Sequence, residues 1–334
     1  MSKVSVVLAA YRGEKYIADQ LWRLFAQTYP PDEILIGDDS PDDATETAVR
    51  GMLHRAPSHC RVDYCRNGVQ LGVDRNFEAL MRKASGDLIF ICDQDDIWSK
   101  RKIERMVVEM EAHPECELLS CGSTQFEILK DEADGRCRRI YRAVPMPSGE
   151  LLKKVNEENP FLLLRYFCPA QGHNFAIRRS FLKIILPFQN DFECYDFWIF
   201  CAAIMTGKIR VMNQSLAWQR VHGQNCSCPY LLSEQKNPLI ARFRTMRMNY
   251  FGTDEITSVF NRFRKLLEFS TGRLAEYAVP ELVEQLRLLS AFYALRMTIR
   301  QSHLFSRVFY CLKHQADYRF HASGIRSMIR DIIF

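Results

Sequence analysis

The chain has no apolar run approaching the roughly 18 to 20 residues that a helix needs to cross a bilayer. Its longest candidate, "FWIFCAAIMTG", reaches only about half of that. No G-x-x-x-x-G-K-[ST] stretch occurs, which excludes a P-loop, and no G-x-G-x-x-G follows the first strand, which argues against a dinucleotide-binding fold. The 12 cysteines form no C-x-x-C pair and no regular framework, so they read as reduced thiols of a cytoplasmic protein. There is no internal repeat and no low-complexity tract. The opening "MSKVSVVLAA" runs straight into an apolar β-branched stretch and reads as a first strand rather than a signal peptide.

What is present fits a soluble globular protein: 334 residues, 47% hydrophobic and 25% charged, enough for one large domain with an extension or for two domains. Charge is uneven. From residue 230 onward there are 16 Lys+Arg against 9 Asp+Glu, whereas the rest of the chain is slightly acidic, so the whole net charge of +5 originates in the C-terminal third.

Apolar spacing alternates between strand and helix over the first 115 residues. Residues 4–10 read as a buried strand, and Tyr16, Ile17, Gln20, Leu21, Leu24 and Phe25 recur at helical spacing over about 14–28. "EILIGDDS" and "DDATETAVRGML" read as a second strand and helix, "RVDYCRN" as a weaker third strand, and "RNFEALMRKAS" as a helix closed by Gly86. "LIFICD" is a fourth strand, and "KRKIERMVVEMEAHP" a helix with Ile103, Met106, Val107 and Met110 on one face. This alternation predicts a mostly parallel sheet with helices on both faces, whose ligands sit at the carboxyl ends of the strands. Tyr11, Asp38, Asp39, Asp93 and Asp95 all fall at those ends. Residues 130–160 read as a mobile loop, "CPAQGHNFAIRRSFLKIILP" as a strand and short helix, "ECYDFWIFCAAIMTG" as a helix starting near Asp196, and the region beyond 230 as basic helices.

The stretch "LIFICDQDDIW" sets Asp93, Asp95 and Asp96 side by side at the mouth of an apolar strand, which costs energy unless something positive shares the site. Capping of the following helix explains one such acid but not three. A hard divalent cation, Mg²⁺ or Mn²⁺, takes one or two carboxylates and completes its shell with substrate phosphates. Asp-x-Asp at a strand end therefore suits a metal that holds a nucleoside diphosphate.

"VSVVLAAYRGEKYIADQLWRLFAQTYPPDEILIGDDSPDDAT" and "LGVDRNFEALMRKASGDLIFICDQDDIW" resemble the inverting family 2 glycosyltransferases of GT-A fold, over about residues 3–225. The "DQDDIW" form is similar to bacterial rhamnosyltransferases and surface-polysaccharide (O-antigen or capsule) transferases. The resemblance implies an α/β nucleotide-diphospho-sugar transferase domain over 1–228, followed by a helical extension over 229–334. It places Ala10, Tyr11, Asp39, Asn76 and Asp93 on the nucleotide sugar, Asp95 and His222 on the metal, and Asp196 as the base that deprotonates the acceptor hydroxyl. "DDSPDD" stands where a Gly-Ser-Thr-Asp turn is commoner, and Arg12 where Asn is frequent.

Read without the resemblance, Asp196 is first of all a helix cap, and His222 could be an ordinary loop histidine. His173 and Asn174 either border the acceptor or form a turn. Arg220 either contacts phosphate or makes a surface ion pair. Two other functions use the same acids: a haloacid-dehalogenase-like phosphatase with Asp93 and Asp95, and a non-catalytic nucleotide-sugar-binding protein. The phosphatase pattern belongs to a first strand with Thr or Val two residues after the second Asp, whereas here the motif is in the fourth strand and Ile97 takes that place. The implied partners are a dTDP- or UDP-sugar donor and a lipid-linked oligosaccharide acceptor. For the basic tail the readings are packing on the catalytic domain or contact with an anionic membrane surface, at the cytoplasmic face of the inner membrane. No nucleic-acid motif accompanies its charge.

Overall fold

A computed structural model describes residues 2–130, 137–165, 170–189, 192, 194–222, 255–322 and 324–333. The chain divides into two compact units, one comprising Met1–Pro160, Cys168–Ile204 and Lys208–Glu234, the other Phe161–Phe167, Met205–Gly207 and Gln235–Phe334. The expected boundary after residue 228 lies outside the described residues.

The first unit is built on a nine-stranded sheet. Its strands are β1 (Val4–Ala10), β2 (Glu33–Asp38), β3 (Arg61–Arg66), β4 (Leu88–Asp93), β5 (Ile97–Trp98), β6 (Leu118–Lys130), β7 (Cys137–Ala143), β8 (Phe175–Arg178) and β9 (Ile209–Arg220), in the order β3-β2-β1-β4-β8-β6-β9-β5, with β7 on β6. The first four are parallel, and β8 then runs antiparallel to both β4 and β6. The apolar runs of β1 and β4 are buried on both faces, as central parallel strands should be. Helices α1 (Ile17–Phe25), α2 (Ala44–Met52) and α4 (Lys102–Ala112) cover one face with Leu21, Val49 and Met106, packed on Val6, Leu8 and Phe90. Helix α3 (Val73–Lys83) lies against β1 and β2 and buries Phe77, Leu80 and Met81.

Register fixes the site. Ala10 pairs with Asp38 and Ala9 with Asp93, so the ends of β2, β1 and β4 are level. Short β5 pairs antiparallel with β9 at Ile97–Trp218, which sets the chain before Ile97 opposite the chain after Trp218. Asp95 and Arg220 thereby meet.

Two expectations are corrected. The segment 130–160 is not simply a loop: β7 pairs with β6, and α5 (Gly149–Glu157) is capped by the Ser148 hydroxyl on the Leu151 N–H. β7 carries exposed Arg138 and Arg139 and half-buried Arg142, the charge of an edge strand that avoids further pairing, and this hides it from an apolar pattern. Gly86 does not close α3, which ends at Lys83; its N–H instead bonds the Ser5 hydroxyl of β1.

Helices α6 (Leu162–Arg165), α7 (Leu182–Ile185) and α8 (Tyr195–Met205) follow in chain order. In the second unit, the described residues beyond 254 are helices and turns: α9 (Glu255–Thr271), α10 (Pro280–Gln301), α11 (Leu304–Lys313), α12 (Gln315–His321) and α13 (Ile325–Ile333). Its core includes Leu266, Leu286, Leu289, Phe292, Tyr293 and Tyr318. Buried Asp331 accepts from Arg296, Arg300 and the Tyr318 hydroxyl, which ties α13 to α10 and α12.

Candidate active site

The chain leaves β1 at Ala10 and turns sharply through Arg12, whose φ of 50° is left-handed. Side chains from other strand ends hold this turn. The Gln94 amide accepts from the Tyr11 N–H and donates to the Tyr11 carbonyl, both at 2.9 Å, while Ser40 and Thr45 accept from the N–H groups of Arg12 and Gly13. Tyr11 is left exposed beside buried Ala10. At the end of β2, Asp39 accepts from the Asn67 amide and from the N–H groups of Leu71 and Gly72, which draws the 67–72 loop over the strand ends. Asn76 donates to the Gly37 carbonyl at 2.8 Å. A Cβ on Gly37 would lie 2.1 Å from the Asn76 Oδ1, so only glycine lets Asn76 sit there.

At the mouth of β4, Asp95 Oδ2 lies 2.7 Å from His222 Nε2, and Tyr16 stacks on the His222 ring at 5.0 Å. Arg220 is neither a surface ion pair alone nor open toward solvent. Its Nε donates to the Asp95 carbonyl at 3.1 Å, its guanidinium lies between the Tyr16 and Phe126 rings, and it approaches Asp19 at 3.6 Å. It positions the Asp95 backbone.

Asp93, Asp96 and His173 form a second group, with ligand atoms all within 4.8 Å of one another. His173 Nδ1 is 3.5 Å from both carboxylates. Asp96 is 1% exposed, and burial pushes its carboxyl up to about 8 against the pull of His173. Burial would lower the His173 pKa, but Asp96 and Asp93 carry it above its ordinary value. Beneath them, Lys102 is fully buried, donates to the His173 carbonyl, and lies 3.9 Å over the Trp98 ring.

These two groups differ in what they can hold. In the first, burial favours the neutral form of the Asp96 carboxyl and His173 and Lys102 stand beside it, so that trio offers a cation little net negative charge. Asp95 and His222 offer one carboxylate oxygen and one imidazole nitrogen at the rim, each partly exposed. That donor set fits a divalent cation whose remaining positions are filled by phosphate oxygens and water.

Asp196 lies in the first turn of α8 and accepts from the Phe197 N–H at 2.8 Å and the Gly172 N–H at 3.2 Å. Burial raises its pKa, and the charge of Asp93 adds to the rise, while the bonds from Cys194, Gly172 and Phe197 oppose it. Tyr195 packs between Phe77 and Phe188. A Cβ on Gly172 would meet the Tyr195 hydroxyl oxygen at 2.2 Å, so the close approach of the 172–174 turn to α8 requires glycine. His173 and Asn174 are both buried; Asn174 donates to Ser123 of β6 and to Gln171 just before the turn.

The structure thus brings together Tyr11, Asp93, Asp95 and His222 on one rim, with Asp39 and Asn76 at the neighbouring strand end and Asp196 linked through Gly172 to the His173 group. Gln94 and Lys102 carry no site reading in the sequence, and Tyr16 reads there only as part of a helix face. Gln94 had a signal, because it stands between the two acids of Asp-x-Asp.

The glycosyl transferase family 2 model matches residues 5–186, and the chain belongs to that family. Its fold is GT-A, an α/β sheet followed by helices. An uncharacterized glycosyltransferase of Nostoc sp. is 26% identical over 67% of this chain and 66% of its own length. The putative glycosyltransferase EpsE of Bacillus subtilis is 27% identical over 43% and 50%, and the putative teichuronic acid biosynthesis glycosyltransferase TuaG of the same organism 28% over 31% and 40%. The chain thus spans two thirds or less of the length of these relatives. Among solved structures, S. aureus TarS 1–349 in complex with UDP-GlcNAc has a TM-score of 0.53 at 16% identity, covering 99% of this chain and 89% of that one. The mannosyltransferase PcManGT of Pyrobaculum calidifontis in complex with GDP-Man and Mn²⁺ has 0.52 at 17%, covering 99% and 86%. Family membership sets aside the phosphatase reading of Asp93 and Asp95.

Proposed function

We propose that the protein is an inverting, metal-dependent glycosyltransferase that moves a hexose or deoxyhexose from a dTDP- or UDP-sugar to a lipid-linked oligosaccharide of a bacterial surface polysaccharide such as O-antigen or capsule. The observation that carries this reading is the pairing of Asp95 with His222 at 2.7 Å on a rim shared with Asp93, while Asp196 is held at the start of α8 by the Gly172 N–H. One place is suited to a metal-bound diphosphate and a separate one to a base.

In this reading Tyr11, Asp39 and Asn76 border the nucleoside and Asp93 the ribose. A divalent cation, Mn²⁺ or Mg²⁺, held by Asp95 and His222 would stabilise charge developing on the leaving diphosphate. Asp196 takes the proton from the acceptor hydroxyl as it attacks the anomeric carbon, so the sugar inverts in one displacement and no covalent nucleophile is needed. Its raised pKa makes it a better proton acceptor than an exposed Asp. His173 and Asn174 line the inner side of the acceptor approach. The relative named for teichuronic acid biosynthesis supports a surface-glycan role, and the neighbours holding UDP-GlcNAc and GDP-Man support a nucleoside-diphosphate sugar donor.

No helix among the described residues is long and apolar enough to cross a membrane. A lipid-linked acceptor then requires the enzyme to meet the bilayer from outside, and we assign this to the basic region beyond residue 229, on the cytoplasmic leaflet of the inner membrane. Thermal-shift screening with dTDP, UDP and GDP, with and without Mn²⁺ or Mg²⁺, tests the donor class. Ligand at a hundredfold over its dissociation constant stabilises by about 2.7 kcal/mol. A metal-dependent rise with dTDP or UDP is the expected result, and no response to any nucleotide would remove the transferase reading in favour of a protein of another kind.

A further inference from the structure

Helix α11 of the second unit wears its apolar side outward. Phe305 is 90% exposed, Phe309 64%, Leu312 62% and Leu304 59%, and Val308 is exposed beside them. At 3.6 residues per turn these five fall within an arc of about 140°. The only fully buried residue of the helix is Cys311. A helix packed in a soluble protein has the opposite arrangement, with its apolar stripe inward and its charges in water. Phe320 of α12 and Ile325 and Ile329 of α13 are exposed as well. Soluble monomers rarely leave contiguous apolar patches of this kind without a use for them.

Charge says what covers the face. Among the described side chains from residue 302 on, Arg307, Lys313, Arg319 and Arg330 stand against Asp317 and Asp331. Asp331 is buried among Arg296, Arg300 and Tyr318, and Asp317 is engaged by His314 at 2.8 Å. The apolar face is therefore set in basic surroundings with almost no free acid. A second copy of the chain would bring these cations against their own counterparts, which disfavours self-association. A bilayer answers both features at once: acyl chains take the aromatic and aliphatic side chains, and anionic headgroups take the arginines and lysine.

We propose that α11 lies in the interface of an anionic bilayer, with Phe305 and Phe309 entering the boundary between headgroups and acyl chains. This rests on the reading that the acceptor is lipid-linked, and it replaces a purely electrostatic tail by one that inserts. Insertion and charge attraction respond differently to salt: screening weakens only the second.

The test is flotation of the full-length protein with phosphatidylcholine vesicles, with or without phosphatidylglycerol, at low and high salt. Wild type should float with phosphatidylglycerol vesicles and keep part of that binding at high salt. Phe305→Ser/Phe309→Ser should lower the partition coefficient by at least about tenfold and lose what remains at high salt. Leu304→Ser/Leu312→Ser is an independent pair on the same face and should act the same way. All four side chains point to water, so thermal unfolding of both variants should match wild type. Wild type that ignores the vesicles, or variants that bind as wild type does, would overturn the proposal. So would a wild-type dimer in sedimentation that the variants dissolve, because a second copy would then be the occupant. Sugar-nucleotide hydrolysis in solution, measured on the same samples, should be equal in all three proteins. Flotation without any hydrolysis would leave the docking surface standing and the transferase reading refuted.

Discussion

Replacing Lys102 by Met removes an ammonium from beneath the acidic group and keeps the length of the side chain. In the native protein Nζ donates to the His173 carbonyl and lies 3.9 Å from the centre of the Trp98 ring. A hydrogen bond to a charged group contributes about 1.5–3 kcal/mol, and a desolvated cation–π contact about 2 kcal/mol. Against these stands the dehydration of the ammonium, which pulls the Lys102 pKa down and which Met relieves by several kcal/mol. The His173 carbonyl loses its partner, and Asp96 keeps only His173 as compensation. The net expectation is a loss of about 2 kcal/mol, or about 4–8 °C in unfolding temperature for a unit of this size. The same turn carries Gly172, whose N–H holds Asp196, so turnover should fall about ten- to a hundredfold while nucleotide affinity changes little. Differential scanning fluorimetry and separate measurement of kcat and nucleotide binding check this. An unchanged melting temperature together with unchanged kcat would mean that the ammonium does not hold the turn.

Asp95→Ala should abolish metal-dependent turnover, and with it the extra thermal stabilisation that Mn²⁺ gives in the presence of nucleotide, without loss of fold, because one of three clustered carboxylates is removed. Gly37→Ala drives a methyl into the Asn76 amide and should cost about 1–3 kcal/mol, seen as a lower denaturation midpoint, with weaker nucleotide binding. Burial raises the Asp196 pKa, so the base becomes protonated at a higher pH than an exposed Asp of about 3.9, and kcat should fall on that acid limb as pH drops through the raised value. The same shift makes the folded state bind more protons than the unfolded one in that window, so the contribution of Asp196 to stability diminishes as pH rises through it. A kcat profile flat down to the ordinary Asp range would contradict the assignment.

How far the sequence reached follows from what each signal depends on. β1, β4 and the helices between them were legible because apolar periodicity is local, and the acids at the strand ends followed from the parallel topology alone. β7 was not, since an arginine-rich edge strand owes its existence to pairing with β6 rather than to its own pattern. Asp95 and His222 are 127 positions apart in number and meet only through the β5–β9 register. Lys102 reads as an ordinary first-turn helix residue, and nothing in its neighbourhood signals that it is turned inward under His173. Arg220 offered two readings, and the structure added a third, a cation held between two rings that fixes the Asp95 carbonyl. His173 and Asn174 were expected beside the acceptor, and their burial shows how the turn is built.

Asp196→Asn separates the readings most directly. Asn keeps the shape and can still cap α8, but it cannot take a proton. General-base catalysis is worth about 10²- to 10⁴-fold, so sugar transfer should fall by at least about two orders of magnitude while nucleotide binding, made at the ends of β1, β2 and β4, is nearly unchanged. Transfer and nucleotide affinity measured on this one variant decide the matter: lost transfer with intact binding is the expected result, and near-normal transfer with normal binding would mean that Asp196 only caps its helix and that the base lies elsewhere.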